Sequence, residues 1–82
     1  MIFRETKVGK NFAQEDAQKL VARSMRYDSE ITLESGSKKI NGKSLMGVIG
    51  MTLRKGDTVT VIAKGDDQEE ALDTVIHLLG AV

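Results

Sequence analysis

"SEITLESGSKKINGKSLMGVIGMTL", residues 29–53, changes its period half-way along, and that change decides the fold. In the first half apolar and polar residues alternate. Ile31 and Leu33 fall on one side and Glu30, Thr32 and Glu34 on the other, the two-residue period of a half-buried strand. Ser35-Gly36-Ser37 supplies a turn and KKIN returns with Ile40 inward, so 29–41 is expected to form a hairpin. After Ser44 the alternation stops. Leu45, Met46, Val48, Ile49, Met51 and Leu53 crowd together as a short apolar helix, capped by Ser44 and weakened by Gly47 and Gly50.

Gly42-Lys43-Ser44 has the ending of a nucleotide phosphate loop, but the spacing before it is wrong. Such a loop needs its first glycine five positions before the second, and Gly36 lies six positions before Gly42. The residues between them read as strand, whereas a phosphate loop follows its strand, and no long βαβ array is present. Ser44 needs another explanation.

Working outward, IFRETKV (2–8) reads as a strand with Thr6 and Val8 on one face and Glu5 and Lys7 on the other. Asn11, with Gln14 three residues later and Glu15 and Asp16 in the first turn, predicts a helix start. Its inner face would be Ala13, Ala17, Leu20, Val21, Ser24 and Met25. Lys55-Gly56-Asp57 turns the chain into TVTVIAK (58–64), a strand with Val59, Val61 and Ala63 inward. Asp66 and Glu69 have capping-box spacing for a last helix with the stripe Leu72, Val75, Ile76 and Leu79. The order is β-α-β-β-α-β-α. Each strand has one apolar face, which predicts an α+β two-layer open-faced sandwich, an antiparallel sheet with three helices on one face.

Composition narrows the function. Eighty-two residues make a single domain, 1–82, which buries roughly 60% of its unfolded surface. Twelve acidic and twelve basic residues cancel, and with aromatics limited to Phe3, Phe12 and Tyr27 there is neither a basic surplus nor a stacking platform for nucleic acid. Without cysteine there is no disulfide or thiolate chemistry. No apolar run reaches the about 20 residues of a membrane span and no signal-peptide pattern opens the chain, so a cytoplasmic location is expected. No cofactor or metal constellation is present. The acidic clusters at 15–16 and 66–70 lie at helix starts, where capping explains them, so the chain is not expected to be an enzyme.

The order of elements and the wording of 26–72, RYDSEITLESGSKKINGKSLMGVIGMTLRKGDTVTVIAKGDDQEEAL, resemble HPr, the histidine-containing phosphocarrier of the bacterial sugar phosphotransferase system. The most specific matches are KSLMG (43–47), the KGD turn before Val59, and AKGDDQEEAL (63–72). The resemblance implies the strand order 1-4-2-3. It also implies a Gly-(Leu/Ile)-His-Ala-Arg-Pro motif at the first helix start, and here the match ends. The segment reads VGKNFAQEDAQKLV (8–21). Anchored on Val8, Ala17 and Tyr27-Asp28, it is shorter by two residues, and the family's histidine falls on Ala13, its arginine on Glu15 and its proline on Asp16. A helix start suits phosphate and a neighbouring arginine strengthens the bond, whereas two carboxylates occupy the dipole themselves and repel phosphate. The chain's one histidine, His77, is in the last helix, where it is expected on the surface.

In low-GC Gram-positive relatives the family has a regulatory serine in this block, phosphorylated by HPr kinase; residue for residue it is Ser44. The serine also reads as a plain N-cap worth about 1 kcal/mol, and the two roles are compatible. A phosphate there would meet the helix N–H groups with Lys43 adjacent. The short helix has too many apolar residues for one stripe. Val48, Met51 and Leu53 suit the core, leaving Leu45, Met46 and Ile49 either as an exposed patch or partly tucked against the neighbouring helix. In the family that patch binds enzyme I, HPr kinase and a catabolite-control transcription regulator.

Two functions follow. One is an HPr-like regulatory docking protein without histidine phosphocarrier activity. It would bind a protein partner, such as an HPr kinase or a transcription regulator, through Leu45, Met46 and Ile49, with phosphorylation of Ser44 as switch. Glu15 in place of arginine points to a more basic partner. The alternative is a phosphotransferase-system phosphocarrier with an atypical acceptor, for which only His77 is available. No direct contact with nucleic acid or membrane is expected.

Overall fold

In the computed structural model, which describes residues 1–80, the chain runs β1 (Ile2–Lys7), α1 (Gln14–Ser24), β2 (Glu30–Ser35), β3 (Lys38–Asn41), α2 (Leu45–Met51), β4 (Thr58–Lys64) and α3 (Gln68–Leu78). The last two residues of the expected domain, 81 and 82, lie outside the described residues. All seven expected elements are present in the expected order. The four strands form one antiparallel sheet in the order β1-β4-β2-β3.

The period-two pattern of β4 explains its central place. Val59, Val61 and Ala63 are fully buried on the helix side, and β4 pairs with β1 on one edge and β2 on the other. Leu33 stands opposite Val61 and Ile31 opposite Ala63, so the buried rows of adjacent strands coincide. Helices α1 and α3 lay Ala17, Leu20, Ala71, Leu72, Val75 and Leu79 over that face. At roughly 25 cal/mol per Å² of apolar area, this shared core is the main stabilising term.

Several helix-end details differ from expectation. Helix α1 is capped at Ala13 rather than Asn11, because the Asn11 amide oxygen accepts a bond from the Lys55 N–H across the molecule (2.9 Å). Ala13 and Met25 are exposed, so the buried face of α1 reduces to Ala17, Leu20 and Ser24, with Val21 half-buried. Helix α3 starts from Asp67, not Asp66, and Gln68 rather than Glu69 reaches back, its side-chain oxygen accepting from Gly65 N–H (3.2 Å). The Asp67 carboxylate does not cap its own helix. It accepts from the N–H groups of Asp28 and Ser29 (2.9 Å each) and from the Ser29 hydroxyl, joining the α1–β2 and β4–α3 connections at one end of the sheet.

Candidate functional site

Ser44 sits where strand β3 hands over to helix α2. Its backbone is extended (φ −102°, ψ 111°) and its hydroxyl accepts from the Gly47 N–H at 3.2 Å, the N-cap geometry the sequence predicts. The approach is fixed by three bonds: Gly42 N–H to Ile31 O (2.8 Å), Lys43 N–H to the Asn41 side-chain oxygen (2.8 Å), and Ser44 N–H to Asn41 O (2.9 Å). Gly42 has to be glycine, since a Cβ there would stand 2.7 Å from Ile31 Cγ2. Ser44 itself stays half-buried, with its hydroxyl held by one donor.

The two lysines beside this helix are committed elsewhere. Lys43 Nζ donates to the Tyr27 carbonyl in the α1–β2 connection (2.6 Å), so the charge expected next to Ser44 instead ties that connection to the α2 approach. Lys38 Nζ donates to the Gly50 carbonyl (3.1 Å), closing the far end of α2. The helix then stops at Thr52, which takes the left-handed conformation (φ 52°).

Along α2 the apolar residues divide. Val48 and Met51 are buried, as is Leu53 just beyond. Met46 is 80% exposed and Ile49 40% exposed, while Leu45 is half-buried and packed against the core. Of the three expected patch residues, two therefore face water and the third turns toward the core. Next to Ile49 lies a shallow cleft of about 230 Å³ between α2 and the start of α1, lined by Phe12, Ala13, Ala17, Val48 and Leu53 among others. The sequence offered one signal for this cleft: Phe12, an aromatic at the lip of a helix.

At the other lip is the start of α1. Ala13 is its cap residue and has no side-chain acceptor. Asp16 supplies half of a capping box, accepting from Ala13 N–H at 2.8 Å, and pairs with Lys10 Nζ at 2.7 Å. The Lys10 ammonium foremost, then the Ala13 N–H, hold the Asp16 carboxyl below its ordinary value. Glu15 beside it is exposed. His77 is exposed on α3, next to a different cleft lined by Arg23, Asp73, Thr74 and Leu78. Among the described residues no cluster of histidine and carboxylate side chains could hold a metal ion.

The open-faced sandwich ordered 1-4-2-3 is shared with solved proteins of known family. Residues 12–81 match the family model described as the PTS HPr component phosphorylation site. The chain belongs to the HPr family. HPr-like protein Crh of Halalkalibacterium halodurans is 35% identical over 75 residues, 92% of this chain and 89% of Crh. Phosphocarrier protein NPr of Shewanella violacea is 35% identical over 65 residues, 79% of this chain and 71% of NPr. The solved structure of HPr-C-His from Thermoanaerobacter tengcongensis superposes with a TM-score of 0.89 at 28% identity, covering 98% of this chain and 92% of that one. Within this HPr-family chain, the start of α1 carries Ala13, Glu15 and Asp16, and Ser44 heads α2.

Proposed function

We propose that the protein is a regulatory member of the HPr family that docks on a protein partner and carries no phosphoryl group on histidine. The observation that carries this reading is the pairing of two features across one cleft. Helix α2, headed by Ser44, carries the exposed Met46 and Ile49, of which Ile49 lines the cleft; the start of α1 lines it opposite with Phe12, Ala13 and Gln14, and its first turn holds Glu15 and Asp16 and no histidine. Met46 and Ile49 bind the partner, with Leu45 as their support. Methionine suits the role because its flexible thioether adapts to varied surfaces. Ser44 is the switch. Its hydroxyl gives up a single capping bond on phosphorylation, and the phosphate stays among the N–H groups at the head of α2. The partner presents a basic residue to Glu15. The protein works in the cytoplasm and is not an enzyme. The 35% identity to an HPr-like Crh over most of both chains supports this reading.

Incubation with ATP and a Gram-positive HPr kinase tests the switch. Intact-mass spectrometry is expected to show one added phosphate, absent in Ser44→Ala; an unchanged mass in the native sequence overturns it. Incubation with phosphoenolpyruvate and enzyme I tests the loss of carrier activity. No stable label is expected, and label on His77 would replace this reading with that of a carrier using an atypical acceptor.

A further inference from the structure

The bonds that fix the approach to α2 also assemble the parts of a self-modification reaction, and we propose that Asn41–Gly42 is a site of spontaneous deamidation in the folded protein. This goes beyond the docking and phosphorylation reading and does not depend on it. Asn41 is the last residue of β3, an edge strand, and is exposed. Its side-chain oxygen accepts from the N–H of Lys43 at 2.8 Å, so the side chain is folded forward over the Gly42 peptide. That closed loop keeps the side chain beside the Gly42 peptide, whose nitrogen must attack the side-chain carbonyl carbon. Gly42 has no Cβ to obstruct the approach, and packing against Ile31 requires this residue to be glycine.

The step balances without any co-reactant but water. The Gly42 nitrogen loses its proton and bonds to the Asn41 side-chain carbon. The side-chain nitrogen leaves as ammonia, closing a five-membered succinimide. Water then opens the ring at either carbonyl, giving aspartate, or isoaspartate with the main chain rerouted through the side chain. In the tetrahedral intermediate the negative charge resides on the former side-chain oxygen, the atom that already receives the Lys43 N–H. That donor polarises the carbonyl in the ground state and stabilises the oxyanion, as preorganised backbone donors do in acyl transfer.

One bond opposes the reaction. The Gly42 N–H donates to Ile31 O at 2.8 Å and must be released before the nitrogen can attack. This bond lies just past the last β2–β3 register pair, Thr32 with Asn41, at the end of an edge strand, where local opening is least costly. Deamidation therefore waits on local opening around the buried Gly42 at the end of β3, and proceeds more slowly than in the unfolded chain. The product places a carboxylate three residues before Ser44 and turns the formal net charge from zero to negative.

The chain contains two asparagines, and the other, Asn11, is an internal control: it is followed by Phe12 and holds the Lys55 N–H. The folded protein is incubated at mildly alkaline pH and 37 °C beside a sample unfolded in urea, with peptide mapping and an isoaspartate assay over time. A gain of about 1 Da confined to the Asn41 peptide, with isoaspartate appearing alongside, is expected in the folded sample and absent in Asn41→Gln. No gain in the folded protein even after many half-times of conversion of the unfolded chain, or faster conversion of Asn11 than of Asn41 in the folded protein, overturns the proposal.

Discussion

Thr52 holds a backbone conformation that its own side chain resists. Its φ of 52° is the only positive value at a non-glycine among the described residues, and a β-branched side chain is among the least suited to it. The conformation is imposed from both sides: the Thr52 N–H closes α2 on Ile49 O (3.1 Å), and Leu53 must turn inward to the core. Thr52→Gly is therefore expected to raise stability by about 1 kcal/mol, read as a higher urea midpoint with an unchanged slope. This strain is invisible in the sequence, since threonine carries no mark of left-handed geometry. Asn11 and Asp66 show the same limit. Each has the chemistry of a helix cap, yet Asn11 is engaged with Lys55, and the cap that falls to Asp67 has its carboxylate engaged with Asp28 and Ser29. Local spacing identifies which residues can cap; distant partners decide what those side chains do.

Helix α2 separates stability from surface within two residues. Val48 is 2% exposed, and Val48→Ala is expected to cost about 2 kcal/mol through lost contacts and a residual cavity. Met46, 80% exposed, contributes little to the fold, and Met46→Ala is expected to leave the thermal midpoint within about 2–4 °C of the native value. Under the docking proposal the order inverts in a partner-binding assay, with Met46→Ala the damaging change. Elements of this kind were legible because their periods are clean: alternation in 30–34 and 58–64, and the 3.6-residue stripe of Leu72, Val75, Ile76 and Leu79. The division of labour among Leu45, Met46 and Ile49 was not. A short helix with apolar residues on all sides gives no period from which to choose the buried ones, and the choice falls to the packing of Ile40 and α1 around it.

For the molecule as a whole, strand order lies beyond the reach of periodicity. The alternation in β1, β2 and β4 says which face is buried but not that β4 inserts between β1 and β2; the family resemblance supplied that order. What holds the arrangement at one end is the Asp67 carboxylate, which binds a segment 38 and 39 residues earlier in the chain. The Ser29 hydroxyl foremost, then the Asp28 N–H, hold its pKa below the ordinary carboxylate value. Because the folded value is the lower one, the linked stability is complete above the ordinary carboxylate range, at about pH 5 and higher, and drains away as pH falls through the folded value. Asp67→Asn is accordingly expected to lower the urea midpoint at neutral pH, with the difference from the native protein narrowing as pH falls below the ordinary carboxylate range. A gap that persists unchanged into acid would mean the carboxylate's charge is not what joins the two connections.

The bond from Lys43 to the Tyr27 carbonyl has a consequence for ionic strength. With that ammonium spent on the α1–β2 connection, a phosphate on Ser44 would find its counter-charge on a visiting molecule rather than at home. Attraction of this kind acts across water before contact and is screened over roughly 8–10 Å in physiological salt. The visitor's arrival rate would then fall with added salt, while the grip of Met46 and Ile49 once seated would scarcely change.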